Sequence, residues 1–219
     1  MKNNEHQIIN YFAPGDIYLD IGAHKGVKAQ YFIDKEFKSI LVEPQPECIK
    51  ILNTLFKGSE IVEILQFGMG ASRDILEMSI NTREPALSTF SEEWKTGRFI
   101  DSLWDTKIDV PITTLDYLIS KYGSPRYIKI DVEGFELEVI KGLTHKSGII
   151  SFEFTVEFIR NAIKCISYLS SLGYSKFNLT KGEDLTFFLD KWVNKEDIIL
   201  KLNKLALNDK EIWGDIYAN

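Results

Sequence analysis

Tyr18-Leu-Asp20-Ile-Gly22-Ala23-His24-Lys-Gly26 runs an apolar strand straight into a turn with two glycines, and a segment of helical spacing follows from about Gly26 to Lys35. Gly22 and Gly26 remove Cβ atoms where backbone must approach a ligand, and the helix behind them offers free N–H groups to an anionic end of that ligand. This is the pattern of a nucleotide-cofactor turn after a first strand, Asp16 to Ile21. His24 stands where many such loops carry glycine, and histidine enters positive φ more readily than branched residues do. Glu43 ends the second strand, 21 residues after Gly22, the spacing of a carboxylate that accepts hydrogen bonds from ribose hydroxyls.

Asp20 separates two cofactors. A carboxylate before the first glycine faces the pyrophosphate of NAD with like charge, whereas S-adenosylmethionine presents an ammonium and a sulfonium that a carboxylate stabilises. The turn therefore points to S-adenosylmethionine, with Asp20, Gly22, Ala23, Gly26 and Glu43 as cofactor-binding candidates. Gln66, Gly68 and Met69 follow the third strand, Ile61 to Phe67, where such folds contact the adenine.

Outward from this turn, short apolar runs alternate with helical segments, the signature of a mostly parallel sheet with helices on both faces. A leading helix ends near Phe12, and Pro14-Gly15 breaks the chain before the first strand. Ile40 to Glu43 is the second strand, closed by Pro44 and Pro46 ahead of a helix carrying Cys48 and Leu52. Ile75 to Ile80 reads as an extra strand. Arg83 to Lys107 is a long aromatic-rich connection that fits neither period, a candidate substrate lid with Phe90, Trp94, Phe99 and Trp104. A helix capped by Thr or Asp opens near Thr113. Tyr127 to Asp131 is the fourth strand, Phe135 to Lys141 a helix, Gly148 to Phe154 the fifth strand and Phe158 to Leu172 a helix. Tyr174 to Leu179 and Leu185 to Leu189 read as closing strands, and Lys195 to Leu207 as a helix.

The 219 residues suffice for one sizeable α/β domain. The expected division is a leading helix over 1–15, a Rossmann-like core over 16–193 with the lid at 83–107, and a helical extension over 194–219. A net charge of −6 argues against a broad phosphate-binding face, so no nucleic-acid partner is expected. No apolar run reaches the length of a spanning helix and the N-terminus lacks a signal-peptide core, which predicts a cytoplasmic protein without membrane association. Cys48 and Cys165 read as reduced packing thiols. A monomer or a homodimer is compatible with these residues.

Asp20-Ile-Gly22-Ala-His-Lys-Gly26, Val42-Glu43-Pro44-Gln-Pro46, Thr114-Leu-Asp116 and Ile128-Lys-Ile-Asp131-Val-Glu133-Gly134-Phe-Glu136 occur in this order and resemble the FkbM-type methyltransferases, over about residues 16 to 156. The resemblance implies a Rossmann-like class I methyltransferase fold with a mostly parallel seven-stranded sheet. It also implies S-adenosylmethionine as donor and transfer to an oxygen of a sugar, glycan, polyketide or similar metabolite. His24 replaces the asparagine usual in that family's first loop.

Transfer of a methyl group to an alcohol needs the oxygen held near the methyl and a base for its proton. Asp131, Glu133 and Glu136 stand at the carboxyl edge of the fourth strand, where open α/β sheets bind ligands. Asp131, which also counts among the cofactor-binding candidates, and Glu133 are candidate bases, with helix capping as their plain structural alternative. Glu153 lies inside an apolar strand, where an unpaired carboxylate is expensive and needs a partner or a purpose. His24 is the fourth catalytic candidate, against a loop-shaping role. No full set of oxygen ligands is visible, and no metal is expected. His6 and His145 lie in polar surroundings and read as exposed bystanders. Three other readings stay open: a nucleic-acid methyltransferase, against which the charge and the lack of Pro-Pro-aromatic or Pro-Cys loops count; an NAD-dependent oxidoreductase, against which Asp20 counts; and a methyltransferase-like binding module without turnover.

Overall fold

The computed structural model describes residues 7–96, 99–184 and 186–219. A 3-10 turn over Gln7–Tyr11 leads into β1 (Ile17–Ile21), α1 (Val27–Ile33), β2 (Lys38–Val42), α2 (Pro46–Leu55) and β3 (Val62–Leu65). Next come β4 (Gly68–Met69), β5 (Asp74–Ile80), β6 (Thr106–Thr113), α3 (Leu115–Tyr122) and β7 (Tyr127–Ile130). The chain ends with α4 (Glu136–Lys141), β8 (Ile149–Thr155), α5 (Ile159–Ser171), β9 (Phe177–Leu179), α6 (Lys195–Asn208) and β10 (Trp213–Ala218). His6 lies outside the described residues, and His145 is exposed.

Seven strands form one sheet in the order β3-β2-β1-β7-β8-β10-β9. β3, β2, β1, β7 and β8 run parallel, while β10 pairs antiparallel with both β8 and β9. The order reverses between β1 and β7, which opens a crevice at the carboxyl ends of those two strands.

Alternation along the strands gives the sheet two unlike faces. Leu19, Ile21, Ile128, Ile130, Ile150, Phe152 and Ile216 point to the face covered by α3, α4, α5 and α6 and form the main core with Leu118, Val139, Ile166 and Leu202. Their neighbours Tyr18, Tyr127 and Tyr217 turn to the other face and pack with Ile8, Phe32 and Phe37. Nearer the crevice that second face carries Asp20, Lys129, Ser151, Glu153 and Asp215, paired across the ladder as Asp20 with Lys129, Lys129 with Ser151 and Glu153 with Asp215.

Local signals place the helices as the sequence suggests. Pro46 stands at the start of α2 and Thr114 caps α3, its side chain accepting from the Tyr117 N–H. Both cysteines are free and buried, Cys48 in α2 and Cys165 in α5.

Two expectations are corrected, and one strand is added to them. Thr106–Thr113 is a strand, the middle one of a small β4-β6-β5 sheet, although Pro111 within it hides the pattern. Pairing with β4 starts only at Ile112, so on that side the N–H that proline lacks meets no ladder. The residues described after Leu185 are not a strand; instead the Phe188 N–H donates to the Leu179 carbonyl, and the Asn178 side chain bonds the Leu189 N–H and carbonyl. The last strand is β10, so 194–219 is not a helical extension: α6 leads back into the sheet core, with Ile216 and Ala218 fully buried.

Candidate functional site

A cavity of about 610 Å³ opens at the carboxyl ends of β1, β2, β7 and β8, large enough for a nucleoside with its side chain. Asp20, Gly22, Ala23 and His24 line it from the glycine turn, Glu43 from the end of β2, and Gly68 and Met69 from β4. Asp131, Glu133 and Glu153 close the far side. Two candidates lie elsewhere. Gln66 is exposed and off the cavity. Gly26 is likewise outside it: at φ 80° it starts α1, and a Cβ there would sit 2.9 Å from both Leu52 and Phe56, so it serves the packing of α1 on α2.

Gly22, at φ 85°, lets the end of β1 press on the end of β7; a Cβ there would lie 1.8 Å from the Asp131 carbonyl oxygen. His24 takes φ 48°, the positive value its side chain tolerates. Its N–H donates to Glu43 Oε2 at 2.8 Å, and the Gln45 N–H donates to Oε1 at 2.8 Å. Glu43 thereby ties the glycine turn to β2. Burial outweighs these two bonds and pushes its carboxyl up to about 7. The His24 ring has Nε2 buried without a hydrogen-bond partner among the described residues; burial and Lys25 lower its pKa, which keeps the imidazole neutral.

Asp20 is 1% exposed, and its Oδ1 has no hydrogen-bond partner among the described residues, with Lys129 Nζ 3.9 Å away. Burial pushes Asp20 upward against the pull of that lysine. Asp131 accepts from Lys129 Nζ at 2.8 Å and from Lys28 Nζ at 3.4 Å. Burial raises its pKa, but the two lysines prevail and hold it at about 2. Lys129 is raised in turn: burial lowers it, and Asp131 and Asp20 more than compensate.

Glu133 and Glu153 differ from Asp131 although oxygens of all three lie within 4.8 Å of one another. Glu153 Oε2 is buried and unpartnered among the described residues. Burial first, then Asp131 and the neighbouring glutamates, push both Glu133 and Glu153 well up. A small cation could bridge such oxygens, yet Asp131 already carries two lysines, so the chain itself supplies positive charge here. Glu136 plays another part: its Oε1 accepts from the Val132 and Gly134 N–H groups and braces the turn after β7, while burial pushes its carboxyl up to about 7.

Sequence reasoning missed Lys28, Lys129 and Asp215. The signal was present for two of them, since Lys129 and Asp215 are charges at alternate positions in strands otherwise apolar, which central strands of a covered sheet do not carry without a reason. Of the lid aromatics, Phe90 lines the cavity and packs on Phe135, with the ring centroids 5.4 Å apart and the planes tilted by 43°. Trp94 is buried behind it, 4.7 Å from Phe99 and 5.2 Å from Phe158, and Trp104 does not line the cavity.

The model of the methyltransferase FkbM domain matches residues 20–195. Methyltransferase sdnD of Sordaria araneosa is 28% identical over 173 residues, which cover 66% of this chain and 64% of that protein. The match thus spans less than two thirds of that relative's length. Among solved structures, precorrin-6y C5,15-methyltransferase from Geobacter metallireducens GS-15 is 11% identical with a TM-score of 0.50, over 97% of this chain and 86% of that one, a likeness of fold. Aeropyrum pernix fibrillarin in complex with S-adenosyl-L-methionine is 12% identical with a TM-score of 0.49, over 94% of this chain and 67% of that one.

Proposed function

The chain belongs to the FkbM methyltransferase family, and from that premise we propose that it methylates a hydroxyl of a sugar, glycan, polyketide or similar small acceptor, with the Glu133–Glu153 pair taking the hydroxyl proton. S-adenosylmethionine is the methyl donor; when bound, it supplies a sulfonium methyl that passes to a nucleophile. The residues fit that donor. The buried, unpartnered Oδ1 of Asp20 in the cavity wall suits a cationic group, the free lone pairs of Glu43 suit ribose hydroxyls, and Gly68 and Met69 leave a flat apolar surface for a base. Lys25 and Lys28 also line the cavity and would meet the donor's carboxylate better than α1, which has only seven residues.

The observation that carries the acceptor reading is the contrast among three neighbouring carboxylates. Asp131 is held at about 2 by its lysines, too weak a base for an alcohol. Glu133 and Glu153 are raised, lack ion pairs among the described residues, and face the same space. Such a pair holds one proton between its two carboxyls, and its ionised member can take the proton of an acceptor oriented between them. Asp131 orients Lys28 and Lys129, and His24 shapes the loop.

The reading extends to a cytoplasmic protein acting as one domain, monomeric or homodimeric. The pair of buried free thiols supports a reducing compartment, and among the described residues no helix is long and apolar enough to cross a membrane.

Calorimetry with S-adenosylhomocysteine and with NADH tests the donor site, and failure to bind the former at millimolar levels overturns it. Radiolabelled methyl transfer onto a panel of sugars and polyketide alcohols tests the acceptor. Glu133→Gln and Glu153→Gln are expected to lower kcat by roughly a hundredfold or more while binding persists; unchanged turnover in both removes the proposed base.

A further inference from the structure

Glu133 is one of three non-glycine residues with positive φ among those described, at 53°. A turn that needed only this backbone would carry glycine or asparagine, and the side chain that is there instead reaches into the cavity. Something outside the turn must hold it. The Glu133 carbonyl accepts from Thr89 Oγ1 at 2.6 Å. Thr89 is itself fixed, 1% exposed and joined to Ser79 of β5 by two backbone hydrogen bonds of 2.9 Å. Gly134, at φ 89°, lies flush against Trp94: a Cβ on it would stand 3.0 Å from Cε3 of that ring. Trp94 is 3% exposed and wedged on Phe158.

We propose that Thr89 and Trp94, from the excursion between β5 and β6, are positioning residues that lock the Glu133–Gly134 turn in its left-handed form and so keep the Glu133 carboxylate beside Asp131 and Glu153. Thr89 and Trp94 of the segment that reads as a lid thus hold the catalytic turn, while Phe90 between them lines the cavity. Glu136 braces the same turn from α4, but only through the Val132 and Gly134 N–H groups, which leaves the Glu133 carbonyl to Thr89 alone among the described residues. This inference rests on the reading of Glu133 as part of the base pair.

The test is carbon-13 NMR of the full chain, with and without S-adenosylhomocysteine. In the wild type the Glu133 Cα and Cβ shifts report left-handed backbone. Thr89→Val removes the donor; the shifts are expected to leave that range, and Thr89→Ser to restore them. The Glu133 carboxyl then titrates closer to the ordinary range, because it leaves its buried position and moves away from Asp131, Glu136 and Glu153 as well as from Lys28 and Lys129. Should Thr89→Val fail to fold, Trp94→Phe withdraws the outer ring from Gly134 and is expected to give a smaller change of the same sign. With an acceptor in hand, Thr89→Val lowers kcat by roughly tenfold to a hundredfold with little change in the KM for the donor. Left-handed Glu133 shifts that persist in either folded variant overturn the inference. Loss of S-adenosylhomocysteine binding by the wild type overturns the functional reading instead, and the backbone shifts still decide this one.

Discussion

The two faces of the seven-stranded sheet come from the same strands and are opposite in chemistry. Towards α3, α4, α5 and α6 the central strands present Leu19, Ile21, Ile128, Ile130 and Phe152, a surface whose whole effect is burial. Towards the crevice the alternate positions carry Asp20, Lys129, Asp131 and Glu153. Burying charges costs free energy that ion pairs recover only in part, so nothing in folding alone selects the charged crevice end of the second face, whose other end packs Tyr18, Tyr127 and Tyr217 on Phe32 and Phe37. The comparison separates what the fold needs from what a ligand needs, residue by residue, because neighbours one position apart in β7 belong to different tasks.

The sharpest way to break that comparison is to damage each face once. Phe152→Ala on the aliphatic face is expected to cost about 3–5 kcal/mol of unfolding free energy, seen in denaturant midpoints, while the folded fraction keeps its affinity for S-adenosylhomocysteine. Lys129→Met is expected to cost about 3 kcal/mol, the lower end for removing one partner of a buried pair, since Lys28 remains 3.4 Å from Asp131. Here affinity falls together with stability. If Lys129→Met weakens stability alone, the charged face is structural and the contrast dissolves.

How much of each face was legible follows from the same difference. The aliphatic face announces itself through apolar runs, and the glycine turn through Gly22, His24 and Glu43, whose relation the structure keeps in the hydrogen bond from His24 to Glu43. Asp131 and Glu133 were legible as carboxylates at a strand end and Glu153 as a carboxylate inside an apolar strand, and the three do converge. Their division of labour was not, because it depends on which of them the lysines reach: Lys129 is two residues from Asp131 in sequence, but Lys28 comes from α1, and no local pattern joins the two. β10 was hidden for a related reason. A strand whose partners lie about 60 and 40 residues upstream leaves no periodic signal long enough to tell from a loop. Gln66 and Gly26 lie off the cavity, because proximity in sequence to a ligand wall does not fix whether a residue lines it.

A pH series sharpens the comparison on the charged face. Burial lifts Glu43 to about 7, and the ionised carboxylate is the form that accepts ribose hydroxyls. Binding of S-adenosylhomocysteine should therefore tighten as pH rises to about 7, by up to about tenfold per pH unit for one linked proton, and level off above it. Without ligand the sign reverses for stability. A carboxyl raised in the fold favours the folded state below its unfolded pKa of 4.5 and loses that contribution as pH climbs through about 7. Glu136, also raised to about 7, adds to the same trend. The ligand-free melting temperature should fall between about pH 5 and 8, and Glu43→Gln should flatten part of that fall along with the affinity slope.

The smallest expected effect is the cleanest control. Thr114 caps α3, a helix that touches only the aliphatic face, through one side-chain bond to the Tyr117 N–H at 3.2 Å. Thr114→Ala should cost about 1 kcal/mol, read from the same denaturant curves, and leave the affinity for S-adenosylhomocysteine and its pH slope untouched. A change in either would mean that strain on the aliphatic side reaches the crevice through β7, whose Ile128 and Ile130 lie in the same core as Leu115 and Leu118. The strands would then transmit between their faces, and the partition argued from side-chain alternation would hold for chemistry but not for mechanics.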